Sequence, residues 1–179
     1  YKVSYSLLNA KDFGIPQHRK RVFFVGLIEG EFVFPDGSNI SDVTTKEALS
    51  DLPPIDVEHK DIGTFDYPSP PKSDYQKYIR GKSKQITNHL ITMHTEQTKN
   101  IIGMIPDGGK IRDLPREYWE ITKFNKAFQR MPSDGISATV DTGHRNYFHY
   151  KQNRIPTARE NARLQSFKDD WVPQGSKTS

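Results

Sequence analysis

Along Val3-Ser4-Tyr5-Ser6-Leu7 apolar and polar residues alternate, the period of a half-buried strand. Val22-Phe23-Phe24-Val25-Gly26-Leu27-Ile28 is instead a continuous apolar run, which suits a strand covered on both faces. A loop of about a dozen residues, punctuated by Gly14 and Pro16, joins the two. The simplest arrangement of such neighbours is an antiparallel pair. Residues 31–75 are rich in Asp, Pro and Ser, and Pro53-Pro54 and the prolines between 68 and 71 block regular structure. One short helix, Thr45 to Leu52, can start there at a Thr cap with Ala48 and Leu49 turned inward. Further on, Thr95 to Ile105 reads as a helix with Thr98, Ile101, Ile102 and Ile105 on one face, ended by Pro106-Asp107-Gly108-Gly109. Ile136 to Val140 resembles a strand, and Asn146 to Tyr150 another. Thr157-Ala158-Arg159-Glu160 is a capping box, in which hydroxyl and carboxylate satisfy free amide donors reciprocally. The helix after it, about 158 to 167, puts Ala158, Ala162 and Gln165 on one side, Leu164 and Phe167 beside them, and Arg159 and Arg163 on another face.

Composition narrows the picture. The 179 residues suffice for one ordinary domain, or a domain with an appendage. Apolar residues make up 34%, below the roughly 45–50% usual for globular chains, yet 10 Phe, 8 Tyr and 2 Trp are too many for a disordered tail. A modest core with many loops follows. No apolar run approaches the roughly 18 residues of a membrane span, and no signal peptide opens the chain. With no cysteine there is no disulfide, thiolate metal site or cysteine nucleophile in this chain. The six histidines are scattered without zinc-protease spacing and read as surface or packing residues. Asn88-His89 and His94 have no clustered carboxylates for a metal nuclease.

Charge is uneven. Residues 31–75 hold three lysines against ten acids, so the net +4 of the chain comes from elsewhere. The excess gathers at Arg19-Lys20-Arg21, Lys77 to Lys84 and Lys110 to Lys126. Such stretches suit a polyanion, because cations gain affinity by releasing counterions from phosphates; they equally suit a solubilising surface.

The run Gly14-Ile15-Pro16-Gln17-His18-Arg19-Lys20-Arg21, followed by its apolar strand, resembles the Gln-x-Arg-x-Arg motif of the DNA (cytosine-5-)-methyltransferase family. Arg154 to Phe167 is similar to the penultimate motif of that family, a helix after its variable region, and Thr45 to Pro53 to the segment opening that region. Residues 54–135 match only in style. The Gly-rich cofactor loop, Pro-Cys nucleophile loop and Glu-Asn-Val motif of the family would precede this chain, and its final Gly-Asn motif would follow. The resemblance therefore implies an α/β fold: the C-terminal portion of a Rossmann-like methyltransferase sheet, present as a strand hairpin, plus a mixed, loop-rich target recognition domain. It implies the end of the catalytic domain at 1–30, an acidic connector at 31–75, the recognition domain at 76–153 and a hinge helix at 154–179, where Arg159 and Glu160 make ion pairs. A chain cut at both ends is expected.

The same resemblance implies chemistry. Methylating carbon 5 of cytosine requires a thiolate at carbon 6 and a base swung out of the duplex. Arg21 would contact O2 of the flipped cytosine, Arg19 would hold backbone phosphate, and Gln17 would shape that pocket. A guanidinium, planar and always charged, suits charge building on the ring. Two positions apart at a strand start, both arginines point the same way; a plain solvated strand end is the alternative. Thr139-Val140 is the best equivalent of the Thr-Leu or Thr-Val element of the family, or else an ordinary strand. Arg130, Lys126, Arg145 and Asn146 flank it as candidate DNA contacts. The implied cofactor is S-adenosyl-methionine, bound mostly outside this chain, with no metal; the implied partners are double-stranded DNA and the remainder of the catalytic domain, in the bacterial cytoplasm and in a restriction–modification pair. A stand-alone DNA-binding subunit of a split methyltransferase is the competing reading.

Overall fold

A computed structural model of the chain describes residues 1–55, 64–119, 128–140 and 147–174. The two expected strands form as β1 (Lys2–Asn9) and β2 (Lys20–Leu27), antiparallel from Lys2 opposite Leu27 to Asn9 opposite Lys20. A 3-10 turn over Ala10–Phe13 opens the connecting loop, and Gly14, at φ 72°, accepts the left-handed turn that ends it.

The pairing puts Val3, Tyr5, Leu7, Val22 and Phe24 on one face, with Tyr1 beside Gly26. That face is bare: Tyr5 is 73% exposed and Phe24 71%. The expected two-sided cover is therefore missing among the described residues. The opposite face is partly covered where the chain returns, with the Phe32 N–H donating to Ser4 Oγ and Phe32 packed edge-on against Phe34.

The rest folds around two cores. α1 (Thr45–Leu49) begins where Thr44 Oγ1 accepts the Glu47 N–H, and Thr45, Ala48 and Leu49 are buried. β3 (Phe65–Asp66) pairs antiparallel with β4 (Gln85–Ile86), and between them lies α2 (Asp74–Arg80), capped by Ser73. α2 straddles the expected boundary at residue 75, and its Tyr75, Gln76 and Ile79 are buried. α4 (Ala158–Leu164) carries the capping box as expected, Thr157 Oγ1 accepting from Glu160 N and the Glu160 carboxylate from Thr157 N. Ala48, Leu49, Ile79, Ile86, Val140 and Leu164 share the first core, which therefore draws on connector, recognition region and hinge helix together.

The second core lies behind α3 (Glu96–Met104), where Ile102, Ile105 and Ile111 meet Phe128, Phe148 and Ile155. The helix expected over Thr95 to Ile105 forms, with Thr95 as its cap rather than its first residue and Ile105 just past its end. β5 (Gln129–Arg130) and β6 (Tyr147–Phe148) pair in parallel across this core. No helix among the described residues is long and apolar enough to cross a membrane.

Charged groups lock α1, α2 and α4 together. Arg163 is fully buried: Nε and Nη2 grip the two oxygens of Asp169 at 3.0 and 2.6 Å, and Nη1 bonds Asp51. Arg80 takes the other side of Asp51 at 2.8 Å and lies 3.9 Å over the Tyr67 ring. Tyr67 donates to Asp169, and burial together with that carboxylate pushes its phenol up to about 12. Arg159, also buried, donates to the Thr87 and Trp171 carbonyls and lies 3.7 Å from Asp169. Burial alone would raise the Glu160 carboxyl; the charges around it, with Arg154 at 2.7 Å, hold it well below its usual range instead. Each charge is thereby matched inside the chain, the condition under which burial is tolerated.

Candidate nucleic-acid interface

Ile136 to Val140, expected as a strand, form no regular strand, only an isolated bridge at Ser137. They lie beside the loop between β1 and β2 as a short parallel ladder. Gln17 bridges Ser137; His18 N donates to the Ser137 carbonyl at 2.8 Å, and Ser137 N and Oγ both donate to the Pro16 carbonyl, at 3.2 and 2.7 Å. Thr139 Oγ1 donates to the His18 carbonyl at 2.6 Å, and Arg19 Nη1 to the Val140 carbonyl at 3.3 Å. Two motifs separated by about 120 residues in sequence thus meet at Arg19.

The arginine loop is held from its other side by β1. Asn9 is buried at the end of that strand; its Oδ1 accepts the Arg19 N–H at 2.9 Å, while Ala10 N donates to the Arg19 carbonyl at 3.0 Å. The Arg19 backbone is pinned at both ends, and its side chain is half-buried. Arg21 is exposed, its Nη1 turned to the neighbouring Lys20 carbonyl at 2.7 Å. Neither arginine meets a carboxylate among the described residues, so both charges remain free for an anionic ligand. Gln17 differs: it is 1% exposed, and neither atom of its carboxamide has a hydrogen-bond partner.

The flanking candidates divide. Arg130 is 5% exposed and is occupied internally: Nε donates to the Ile105 carbonyl at 2.9 Å, Nη1 to the His149 carbonyl at 3.0 Å, and Nη2 to the Ile102 carbonyl and Asn153 Oδ1. It caps the carbonyl end of α3, a natural place for a guanidinium. The expected DNA contact at Arg130 is therefore corrected to a packing role. Val140 likewise points into the first core at 6% exposure and presents only its carbonyl to Arg19. Thr139 remains half-buried at the junction. Lys126, Arg145 and Asn146 lie outside the described residues.

Two participants carry no signal a sequence reading could weigh. Asn9 looks like the end of a strand, and Ser137 like an interior strand residue; their partners lie across the loop and 121 positions away. Two histidines are buried packing groups: His89 Nε2 donates to the Pro53 carbonyl and Nδ1 accepts from the Thr157 hydroxyl. His149 Nδ1 accepts two backbone N–H groups, from Lys151 and Gln152. Among the described residues no group of three His, Asp or Glu is placed to hold a metal ion.

Comparison with known proteins bears on this arrangement. The family model described as C-5 cytosine-specific DNA methylase matches residues 1–179. The chain is similar to the type II methyltransferase M1.HphI of Haemophilus parahaemolyticus, 33% identical over 178 residues, which take in 99% of this chain and 42% of that protein. It is also similar to the type II methyltransferase M.DdeI of Desulfomicrobium norvegicum, 32% identical over 201 residues, covering 100% of this chain and 47% of that protein. The chain thus spans about half the length of the curated relatives it matches. Among solved structures, a proposed DNA modification methyltransferase encoded within a prophage of E. coli superimposes at a TM-score of 0.72 with 22% identity, over 94% of this chain and 51% of that one, which establishes the fold.

Proposed function

Because the chain belongs to the C-5 cytosine-specific DNA methylases, we propose that it is the DNA-facing part of a type II cytosine-5 methyltransferase. The complete protein transfers a methyl group to carbon 5 of a flipped cytosine within a restriction–modification pair, in the bacterial cytoplasm and on the nucleoid. The observation that carries this reading is the ladder joining the arginine loop to the Thr139 segment, which sets two exposed or half-exposed guanidiniums at the edge of the recognition region. Arg21 donates to the cytosine O2 as electron density builds on the ring, and Arg19, oriented by Val140, neutralises a neighbouring phosphate. Gln17 backs this pocket from beneath.

The bare face of β1 and β2 supports the same reading. A contiguous apolar surface is not left in water by a finished fold. The remainder of the catalytic domain covers it, whether carried on the same polypeptide or on a partner subunit, and that remainder brings the thiolate nucleophile. S-adenosyl-methionine supplies an electrophilic methyl group when bound, but the residues described do not fit it. Helices here begin at Thr44, Ser73, Thr95 and Thr157, none following a glycine-rich turn.

The test is Arg21→Ala in the complete protein. Turnover falls on the order of a hundredfold or more, as when a donor to a developing oxyanion is removed, while duplex binding stays within a few-fold. Near-normal turnover removes Arg21 from its role. Residues 1–179 alone, given labelled cofactor and mixed DNA, transfer nothing above background.

A further inference from the structure

Ser137 has no exposed surface, and its hydroxyl donates to the arginine loop at 2.7 Å, the Ala138 carbonyl of its own segment lying further off at 3.3 Å. Its N–H and Oγ converge on one acceptor, the Pro16 carbonyl, and its own carbonyl takes the His18 N–H. Ser137 therefore grips both residues that flank Gln17. The Gln17 side chain does not share this task, since its carboxamide has no hydrogen-bond partner. Behind Ser137 the segment is braced from two directions. The Asp107 carboxylate accepts from Ser133 N and Oγ at 2.9 and 2.8 Å, and the Gly135 carbonyl accepts from Thr45 N and Oγ1 at 2.9 and 3.1 Å. A side chain mounted on such a support can fix its target to within a fraction of an ångström, the precision a catalytic group demands.

We infer that Ser137 is a positioning residue of the methyl-transfer reaction, its buried hydroxyl setting where the Pro16–Arg19 loop, and with it the arginine pair, stands relative to the recognition region. This rests on the function proposed above. The loop has two holds: Asn9 and Ala10 fix Arg19 from the β1 side, and Ser137 fixes Pro16 and His18 from the other. Without the hydroxyl, Pro16 still receives the Ser137 N–H, so the loop keeps its path but gains freedom along the ladder. DNA affinity, which depends on many phosphate contacts, does not depend on that freedom. Turnover does, because a small misplacement of a charge-stabilising donor costs rate directly.

Ser137→Ala and Ser137→Cys in the complete protein test this, with methyl transfer at saturating DNA and cofactor, duplex affinity and thermal melting each measured. Losing one ordinary hydrogen bond in the rate-limiting geometry corresponds to a fall in kcat on the order of fivefold. The alanine variant shows that fall with DNA Kd within about twofold and melting nearly unchanged; the thiol, similar in volume but a weaker donor, lies between it and the wild type. Unchanged kcat in Ser137→Ala overturns the inference. So does a parallel loss of kcat, affinity and melting temperature, which marks a merely structural residue, and so does a cysteine variant slower than alanine. A wild-type protein that methylates no cytosine overturns the functional reading itself, and the inference with it; an active wild type beside an unaffected variant overturns the inference alone.

Discussion

In the β1–β2 pair, Val3, Tyr5, Leu7 and Phe24 stand more than 60% exposed, whereas in the knot of α1, α2 and α4 the side chains of Arg159, Arg163 and Asp51 have no exposure at all. One region puts its apolar groups outside and the other its charges inside, and the two inversions have different causes. The knot closes its own account of charge. Arg163 and Arg80 share Asp51, Arg163 and Arg159 meet Asp169, and Arg154 meets Glu160, with carbonyls taking several of the remaining donors and Arg154 Nε left without one. Low dielectric strengthens such matched pairs and punishes any left over. The strand pair closes nothing, since apolar area gains only from contact with a second surface, and the described chain offers none on that face. Self-sufficiency therefore divides the molecule: the knot meets its needs within the described residues, and the sheet leaves one apolar face without a partner there.

The sharpest way to break that contrast is to unbalance the knot. Asp51→Ala removes the carboxylate between Arg163 and Arg80, leaving Arg80 with no carboxylate among the described residues and the fully buried Arg163 to share Asp169 with Arg159. The expected cost is about 4 kcal/mol, the range for an orphaned member of a buried pair, read by denaturant unfolding of the complete protein. A cost below about 1 kcal/mol would mean that the knot is not held by its charges. Acid probes the same region more gently. Burial pushes His149 down to about 4, and its Nδ1, accepting two N–H groups, is unprotonated in the fold. The unfolded chain takes up that proton near pH 6.5, so between pH 6.5 and 4 it binds more protons than the native state, and stability falls as pH falls. His149 accounts for about 3 kcal/mol over that window, and His89, also lowered by burial, adds with the same sign. Melting against pH should show the slope in wild type and a shallower one in His149→Asn; equal slopes would acquit the histidine.

Most of what is local was legible in the sequence. Alternation over residues 3–7 and the apolar run at 22–28 gave β1, β2 and their antiparallel pairing, the apolar face of 98–105 gave α3, and Thr157 marked a helix start because a capping box is written in adjacent residues. α2 escaped: the prolines up to residue 71 suggested continued irregularity, and Tyr75 and Ile79, four apart, are too short an apolar stripe to announce a seven-residue helix. The candidate site was readable as residue types and not as contacts. Nothing in Arg130 distinguishes a guanidinium meant for a phosphate from one that caps the carbonyls of a helix 25 positions earlier. Nor could the alternation at 136–140 reveal that Val140 belongs to the core while Ser137 serves a loop across the fold, because side-chain hydroxyls supply links there that a strand would supply by backbone. What failed was long-range pairing, which periodicity does not encode.

The smallest effect tests the other half of the contrast. Phe24 lies across from Tyr5 on the bare face, ring centroids 6.0 Å apart. If a second layer covers that face in the complete protein, Phe24→Lys there loses the transfer free energy of a large apolar side chain, about 2 kcal/mol, and lowers the unfolding midpoint accordingly. In residues 1–179 alone the same change meets only water, so unfolding should move by no more than a few tenths of a kcal/mol, while solubility rises because a lysine on an open apolar sheet discourages stacking with other copies. The sign of the solubility change and the size of the stability change thus separate the two surroundings with one substitution. A complete protein indifferent to Phe24→Lys would show the face to be open there too, and the sheet would then be no less self-sufficient than the knot.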